Sequence, residues 1–233
     1  METSSKATLA VATLVIGAVI GGVAGYAISD NKGDDSDTAT QTSQSSTAPT
    51  TVGKGADLRV ALNNLEAQHV DLASAATRAG FDGDKSFAAA AGALSKNTDD
   101  LTAAITSVYG EPAGAQFKEI WASHIGFFVD YTVAAKAGDQ AGMDKAVQNL
   151  NGYVEAISTF LSGANPNLPK EAVAQLITEH VGLLKEAVDK HGAGDYAGSY
   201  DAQDRARVQI TTQIADTLAG AIVKQNPDNK FSN

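Results

Sequence analysis

The 233-residue chain contains no cysteine. That excludes a disulfide framework, a thiolate-held metal and a cysteine nucleophile. Basic residues are also scarce: 17 Lys and Arg face 27 Asp and Glu, for a net charge of −10. Nucleic acid and anionic lipid surfaces call for a basic footprint, so neither is expected as a partner. Local catalytic patterns are missing as well. There is no phosphate-binding glycine loop, no nucleophile elbow and no His-Glu-x-x-His. No stretch alternates apolar and polar residues in the manner of a strand. Nothing therefore points to an enzyme.

What the chain does contain is one unit written three times. His69-Val70, His124-Ile125 and His180-Val181 are spaced 55 and 56 residues apart. Fifteen residues after each His comes a Gly-Asp pair: Gly83-Asp84, Gly138-Asp139 and Gly194-Asp195. Each copy closes near a proline, Pro112, Pro166 or Pro227. Glycine takes the left-handed turn that ends a helix. Aspartate then caps the next helix through its side-chain oxygen. The repeat thus predicts an all-α domain over residues 56–229, built from three tandem helical hairpins (56–112, 113–168 and 169–229) with a short tail at 230–233. Pro169 is expected in the first turn of the third hairpin. Six helices of this kind form either a short solenoid or a closed bundle with approximate threefold symmetry.

The histidines have a defined place in this pattern. Seven residues before them stand Leu62, Phe117 and Val173, and four before stand Leu65, Ile120 and Leu176. Three after come Leu72, Phe127 and Leu183; four after, Ala73, Phe128 and Leu184; seven after, Ala76, Tyr131 and Ala187. These offsets fall on one helical face, so each His is expected in the middle of a buried apolar stripe. The aromatic residues Trp121, Phe127, Phe128 and Tyr131 of the middle copy read as core for the same reason.

Two roles follow for His69, His124 and His180. In the first, each imidazole plugs its own hairpin, one ring nitrogen bonding to the facing helix or to a backbone carbonyl. In the second, the three converge as ligands of zinc, copper or iron. Only a closed bundle permits the second. Glu66 precedes His69 by three residues, but its counterparts are Trp121 and Ile177, so a carboxylate-bridged di-iron site is not expected. His191, near a helix end, is expected to serve the last carbonyls. The second helices carry Asn97, Asn151, Gln203 and Arg207 on or beside their apolar stripes. Arg207 either extends to solvent at a stripe edge or is buried against Asp130 or Glu186.

Ahead of the repeats, Ala7 to Ile28 runs for 22 residues without a charge. As a helix it would span roughly 33 Å, enough for a bilayer core. Residues 7–29 are read as a single transmembrane anchor, with 1–6 in the cytoplasm. The alternative is a signal peptide cleaved after Gly25-Tyr26-Ala27. Gly17, Gly21 and Gly25 line one face and would let two such helices pair closely as a dimer seam. Residues 30–55, with Asp34, Asp35, Asp37 and a Ser/Thr/Gln-rich stretch, read as a disordered linker.

The segments Leu-Glu-Ala-Gln-His-Val at 65–70 and Ile-Trp-Ala-Ser-His-Ile at 120–125 carry a resemblance. With the Gly-Asp turns and the Gln225–Pro227 end, they resemble exported bacterial helical-repeat proteins bearing a Leu-Trp-x-x-His-Val motif. Only the middle copy here keeps the Trp. The resemblance implies an exported all-helical domain over about residues 57–229; it implies no activity and no site residues. The sequence thus leads to a membrane-tethered, extracytoplasmic, non-catalytic domain for binding or envelope structure. A histidine-ligated metal-binding protein is the alternative.

Overall fold

The computed structural model describes residues 54–226. The anchor at 7–29, its Gly17, Gly21 and Gly25 seam, most of the linker, and Pro227 with the tail lie outside the described residues. Within them the chain is all helix, without a strand, and no helix is long and apolar enough to cross a membrane.

The three Gly-Asp turns share one geometry. Gly83, Gly138 and Gly194 all take positive φ, at 73°, 67° and 77°. In each turn two backbone bonds close the preceding helix. Asp84, Asp139 and Asp195 donate to the carbonyls of Ala79, Ala134 and Lys190, and the glycines to Gly80, Ala135 and His191. This is the paired-bond stop that a left-handed glycine makes available. Asp139 and Asp195 then cap the next helix, each accepting from a backbone N–H three residues on, Gly142 and Gly198. Asp84 departs from the pattern. Its side chain accepts from Ser86 N–H at 2.7 Å, and the helix begins two residues later than in the other copies, at Phe87.

These turns join α1 (Lys54–Asp82) to α2 (Phe87–Tyr109) and α3 (Glu111–Ala137) to α4 (Gln140–Ala164). They join α5 (Lys170–Gly192) to a sixth helix as well. That helix runs as α6 (Tyr196–Gln209), passes through a π-helical stretch at Ile210–Ala215 and continues as α7 (Asp216–Gln225). Pro112 sits in the first turn of α3, while Pro169 caps α5 from one residue outside it. The inner helices α1, α3 and α5 touch one another. Of the outer helices, α2 packs on α1 and α3, α4 on α3 and α5, and the sixth on α5 and α1. These contacts close the six helices into a ring around a common interior, and the hairpins are not strung out in a line.

The inward face differs in one respect from the sequence pattern. One turn before the histidines, the buried positions are Glu66, Trp121 and Ile177, three residues ahead, while Leu65, Ile120 and Leu176 are only half-buried. At 100° per residue, positions −7, −3, 0 and +4 fall within about 60° of one another, whereas −4 lies about 40° to the other side of the His. Each inner helix therefore presents a column: Leu62, Glu66, His69 and Ala76; Phe117, Trp121, His124, Phe128 and Tyr131; Val173, Ile177, His180, Leu184 and Ala187. Phe127 sits at the edge of the core and is half-buried.

The closest helix approach is at Gly114 on α3. A Cβ there would lie 3.0 Å from Thr106 Cβ and 3.4 Å from its Cα, and would collide with the Thr106 hydroxyl. Gly114→Ala is expected to destabilise the fold by about 1–3 kcal/mol through overpacking. Urea unfolding measures this, and pairing the change with Thr106→Ala is expected to recover most of the loss.

Candidate metal centre

Each histidine is buried, His69 to 1%, His124 to 4% and His180 to 7% of its accessible surface. They also meet. The His69 and His124 rings are centred 5.3 Å apart, and those of His69 and His180 6.5 Å apart. His69 Nε2 lies 3.4 Å from His124 Nε2. The closed ring brings to one layer three residues separated by 55 and 56 positions in the chain.

Hydrogen bonds from the sixth helix and from the α3 backbone fix which ring nitrogen of His180 and of His124 carries the proton. Gln209 donates its amide N–H to the carbonyl of Leu176 at 2.9 Å. Its Oε1 is thereby turned to His180 Nδ1 at 3.2 Å. An amide oxygen only accepts, so Nδ1 carries the proton and Nε2 keeps its lone pair. In the first repeat Asn97 donates to the carbonyl of Leu65 at 2.9 Å and to Gln68 Oε1 at 3.0 Å. It too interacts with its histidine, His69, although neither Asn97 Oδ1 nor His69 Nδ1 completes a well-formed bond. In the middle repeat His124 Nδ1 donates to the carbonyl of Trp121, and the ring stacks on Tyr153 at 4.5 Å. Asn97, Tyr153 and Gln209 stand 28 or 29 residues after their histidines, the equivalent place in each hairpin.

The cluster holds polar atoms without partners. Glu66 Oε2, His69 Nδ1, His180 Nε2, Asn97 Oδ1 and Trp121 Nε1 are buried and make no hydrogen bond. Such atoms are rare in native interiors, and each calls for a cause. Burial holds the imidazoles neutral: His124 is lowered to about 3, His180 to about 4, and His69 well below its usual value. For His69 the neighbouring His124 and His180 add to that effect. Burial also raises the Glu66 carboxyl to about 8. Tyr153 is raised by burial first and by the Glu66 charge second.

An edge of this cluster has the dimensions of a coordination site. Tetrahedral ligands at Zn–N bonds of about 2.0–2.1 Å stand about 3.3–3.4 Å apart, which matches the His69–His124 nitrogen separation of 3.4 Å. The set is not closed as it stands. No three His, Asp or Glu side chains among the described residues are arranged to hold an ion. The 6.5 Å between the His69 and His180 rings is the wide side. A shared ion would require His180 to draw inward.

The other polar residues of the sequence pattern lie elsewhere. Asn151 is exposed and Gln203 bonds to Asp71. Arg207 is half-exposed, 3.4 Å from Asp71, and not paired with Asp130 or Glu186; Glu186 instead meets Arg205. Nor does Tyr200 share the stripe of Ile214 and Leu218: it is exposed under Arg78. The π-helical stretch inserts a residue's worth of phase between them, which regular helical spacing does not anticipate. His191 does not bond the helix end through its ring; its Nε2 reaches Asp82 on α1 at 2.8 Å. A surface cleft between α3 and α4 is lined by Tyr109, Ile120, Ala156, Phe160 and Gly163. Its one carboxylate, Glu155, is already paired with Lys170.

The chain shows no significant similarity to any protein-family model, curated protein or solved structure.

Proposed function

We propose that this is a membrane-tethered, extracytoplasmic helical domain whose interior binds one transition-metal ion through His69, His124 and His180. The observation that carries the reading is the inward set of Nε2 atoms. The bonds of His124 Nδ1 to Trp121 and of His180 Nδ1 to Gln209 leave both Nε2 atoms unprotonated; that of His180 has no partner, and that of His124 accepts from His69 Nε2. The His124 lone pair faces His69 Nε2 at ligand spacing. Bound histidines characteristically donate their other nitrogen to a carbonyl or carboxylate in this way, which orients the ring and raises its basicity. Three imidazoles suit zinc, copper or iron. The role is binding, without catalysis; the uncharged run at 7–29 supplies the tether and the linker at 30–55 the distance.

The single tryptophan gives a direct test. Trp121 is centred 4.9 Å from the His69 ring and 4.8 Å from the His124 ring. Cu²⁺ added to the metal-free full chain in detergent, without an affinity tag, is expected to quench most of its emission at one equivalent. Zn²⁺ in excess should protect it. The single variants His69→Ala, His124→Ala and His180→Ala are each expected to weaken binding more than about a hundredfold. An emission unchanged by stoichiometric Cu²⁺, with no metal retained on gel filtration, would sink the proposal.

A second reading has an observation of its own. The three rings do not form a closed ligand set, and both ring nitrogens of His124 already have hydrogen-bond partners, Trp121 and His69. On this reading the histidines are packing plugs of a helical domain used for binding or envelope structure. It expects the alanine variants to melt lower and the wild type to ignore metal.

A further inference from the structure

The cleft between α3 and α4 is a groove with apolar walls. Ala113, Ile120, Ala156 and Phe160 line it, Gly152 and Gly163 add no side chain, and its volume is about 740 Å³. An apolar concavity of that size is the usual form of a binding site. It lies at the end of the ring where the second helices finish, α2 at Tyr109, α4 at Ala164 and the sixth helix at Gln225. Tyr109 and Ala164 both line the cleft. The Gln225 side-chain amide donates to the carbonyl of Ala164 at 2.9 Å. The chain therefore leaves its last helix at the mouth of the cleft. The manner of leaving repeats an earlier turn. Asn165-Pro166 ends the second repeat and Asn226-Pro227 the third. A residue before proline is kept out of the helical region, and Asn165 and Asn226 take extended φ, −140° and −124°. After Asn165 the chain turns back at once. Asn165 Oδ1 accepts from the Asn167 N–H at 2.9 Å, and Leu168 is buried to 3%. Asp228 and Asn229 stand in the places of Asn167 and Leu168, so the third copy lacks the buried leucine. The one large apolar side chain among residues 227–233 is Phe231, two positions further on.

We infer that residues 227–233 turn back at Asn226-Pro227 and occupy the cleft between α3 and α4, with Phe231 between Ala156 and Phe160. The inference is independent of the metal reading. The reach fits. Phe231 is five residues beyond Asn226, a span of up to about 17 Å. Phe160 and Ala156 lie about 6 and 12 Å from Ala164 along α4, at 1.5 Å per residue. The charge fits as well. Lys230 directly precedes Phe231, and the carboxylate of the cleft, Glu155, is exposed beside Lys170. So docked, the end of the third repeat is strapped across the second, and the groove is open to another chain only when the strap is displaced.

Because the chain has no cysteine, introduced pairs report without background. Ser232→Cys is combined in the full chain, in detergent, with Thr159→Cys in the cleft or with Val60→Cys. Thr159 and Val60 are both exposed, and Val60 lies on α1, which packs against α7 at the same end of the ring. A short bismaleimide is expected to link the Thr159 pair within one chain about ten- to a hundredfold faster than the Val60 pair, the worth of burying one Phe side chain. Phe231→Ala is expected to bring the two rates together. Ala156→Phe, which fills the cleft at an exposed position, is expected to do the same. Equal rates for the two pairs, or a Thr159 pair indifferent to Phe231→Ala, would overturn the inference. Links between two chains that vanish on dilution would overturn it in favour of a second copy as the occupant. A Thr159→Cys thiol still shielded from a water-soluble maleimide after deletion of residues 227–233 would overturn it in favour of some other chain.

Discussion

With no metal in its interior, the domain is expected to be most stable near pH 7 and to lose stability on both sides. The acid arm comes from the histidines. Their folded values lie below the usual 6.5, at about 3 for His124, about 4 for His180 and well below 6.5 for His69. Below pH 6.5 the unfolded chain takes up three protons that the native interior refuses, so stability falls with pH. The alkaline arm comes from Glu66, raised by burial from 4.5 to about 8. The native state keeps its proton up to about pH 8, while the unfolded state releases it near 4.5. The stability this adds is complete below 4.5 and is lost as pH rises toward 8. Each such proton is worth about 1.4 kcal/mol per pH unit. From pH 6.5 to 8 the release of the Glu66 proton costs on the order of 2 kcal/mol, about half of which is offset as the unfolded histidines finish losing theirs. From 6.5 down to 5 the three histidines outweigh it, for a net loss on the order of 4 kcal/mol. Urea midpoints across pH 5–8.5 check this, with Glu66→Gln removing the alkaline arm and leaving the acid one. A wild-type profile that climbs from pH 6.5 to 8 as steeply as that of Glu66→Gln would refute the buried protonated carboxyl.

Leu150→Ala is expected to destabilise the fold by about 2–5 kcal/mol, the usual range for emptying a core leucine. Leu150 on α4 is fully buried, packed with Val70 of α1, Phe128 of α3, Leu184 of α5, and Ala206 and Ile210 of the sixth helix. Five helices therefore lose contacts at once. For a domain of this size each kcal/mol lowers the melting point by about 2–4 °C, so a fall of about 4–20 °C is expected. On the proposed metal-binding reading, affinity for the ion should fall with it, because Val70, Phe128 and Leu184 adjoin the histidines along their helices. A shift under about 2 °C in a calorimetric scan would show that this layer does not hold the ring together.

Much of the architecture was legible because it was repeated. A glycine forced to positive φ and an aspartate able to cap recur at one offset, and a helix stop repeated three times is hard to misread. The buried histidines were legible from the stripe around them. Their convergence was not, because periodicity describes one helix at a time and ring closure depends on which helix touches which. Gln209 was missed although its position matches Asn97 within one residue; a search for an amide 28 or 29 residues after each His would have found it. Arg207 reaches solvent at the stripe edge, the first of its two expected places, and Tyr200 two helical turns before it is exposed as well. The π-helical stretch at Ile210–Ala215 breaks the phase beyond them, and no residue in Ile-Thr-Thr-Gln-Ile-Ala announces such a break. Glu66 was read as a stray motif because its partners in the layer lie on other copies.

The columns of α1, α3 and α5 can also be viewed as rings of three, each ring taking one residue from each copy. In the histidine ring all three votes agree. In the ring beside it they have gone separate ways, to a carboxyl, an indole and an aliphatic chain. A ring fed by three separate codon positions can change by thirds: one copy acquires an acid while the other two keep the wall dry. In a single-copy pocket the same experiment would expose the whole lining to each trial. Tandem duplication here supplies more than a larger core. It divides one interior surface among three independently mutable tenants, and the Glu66 ring is where they have already parted company.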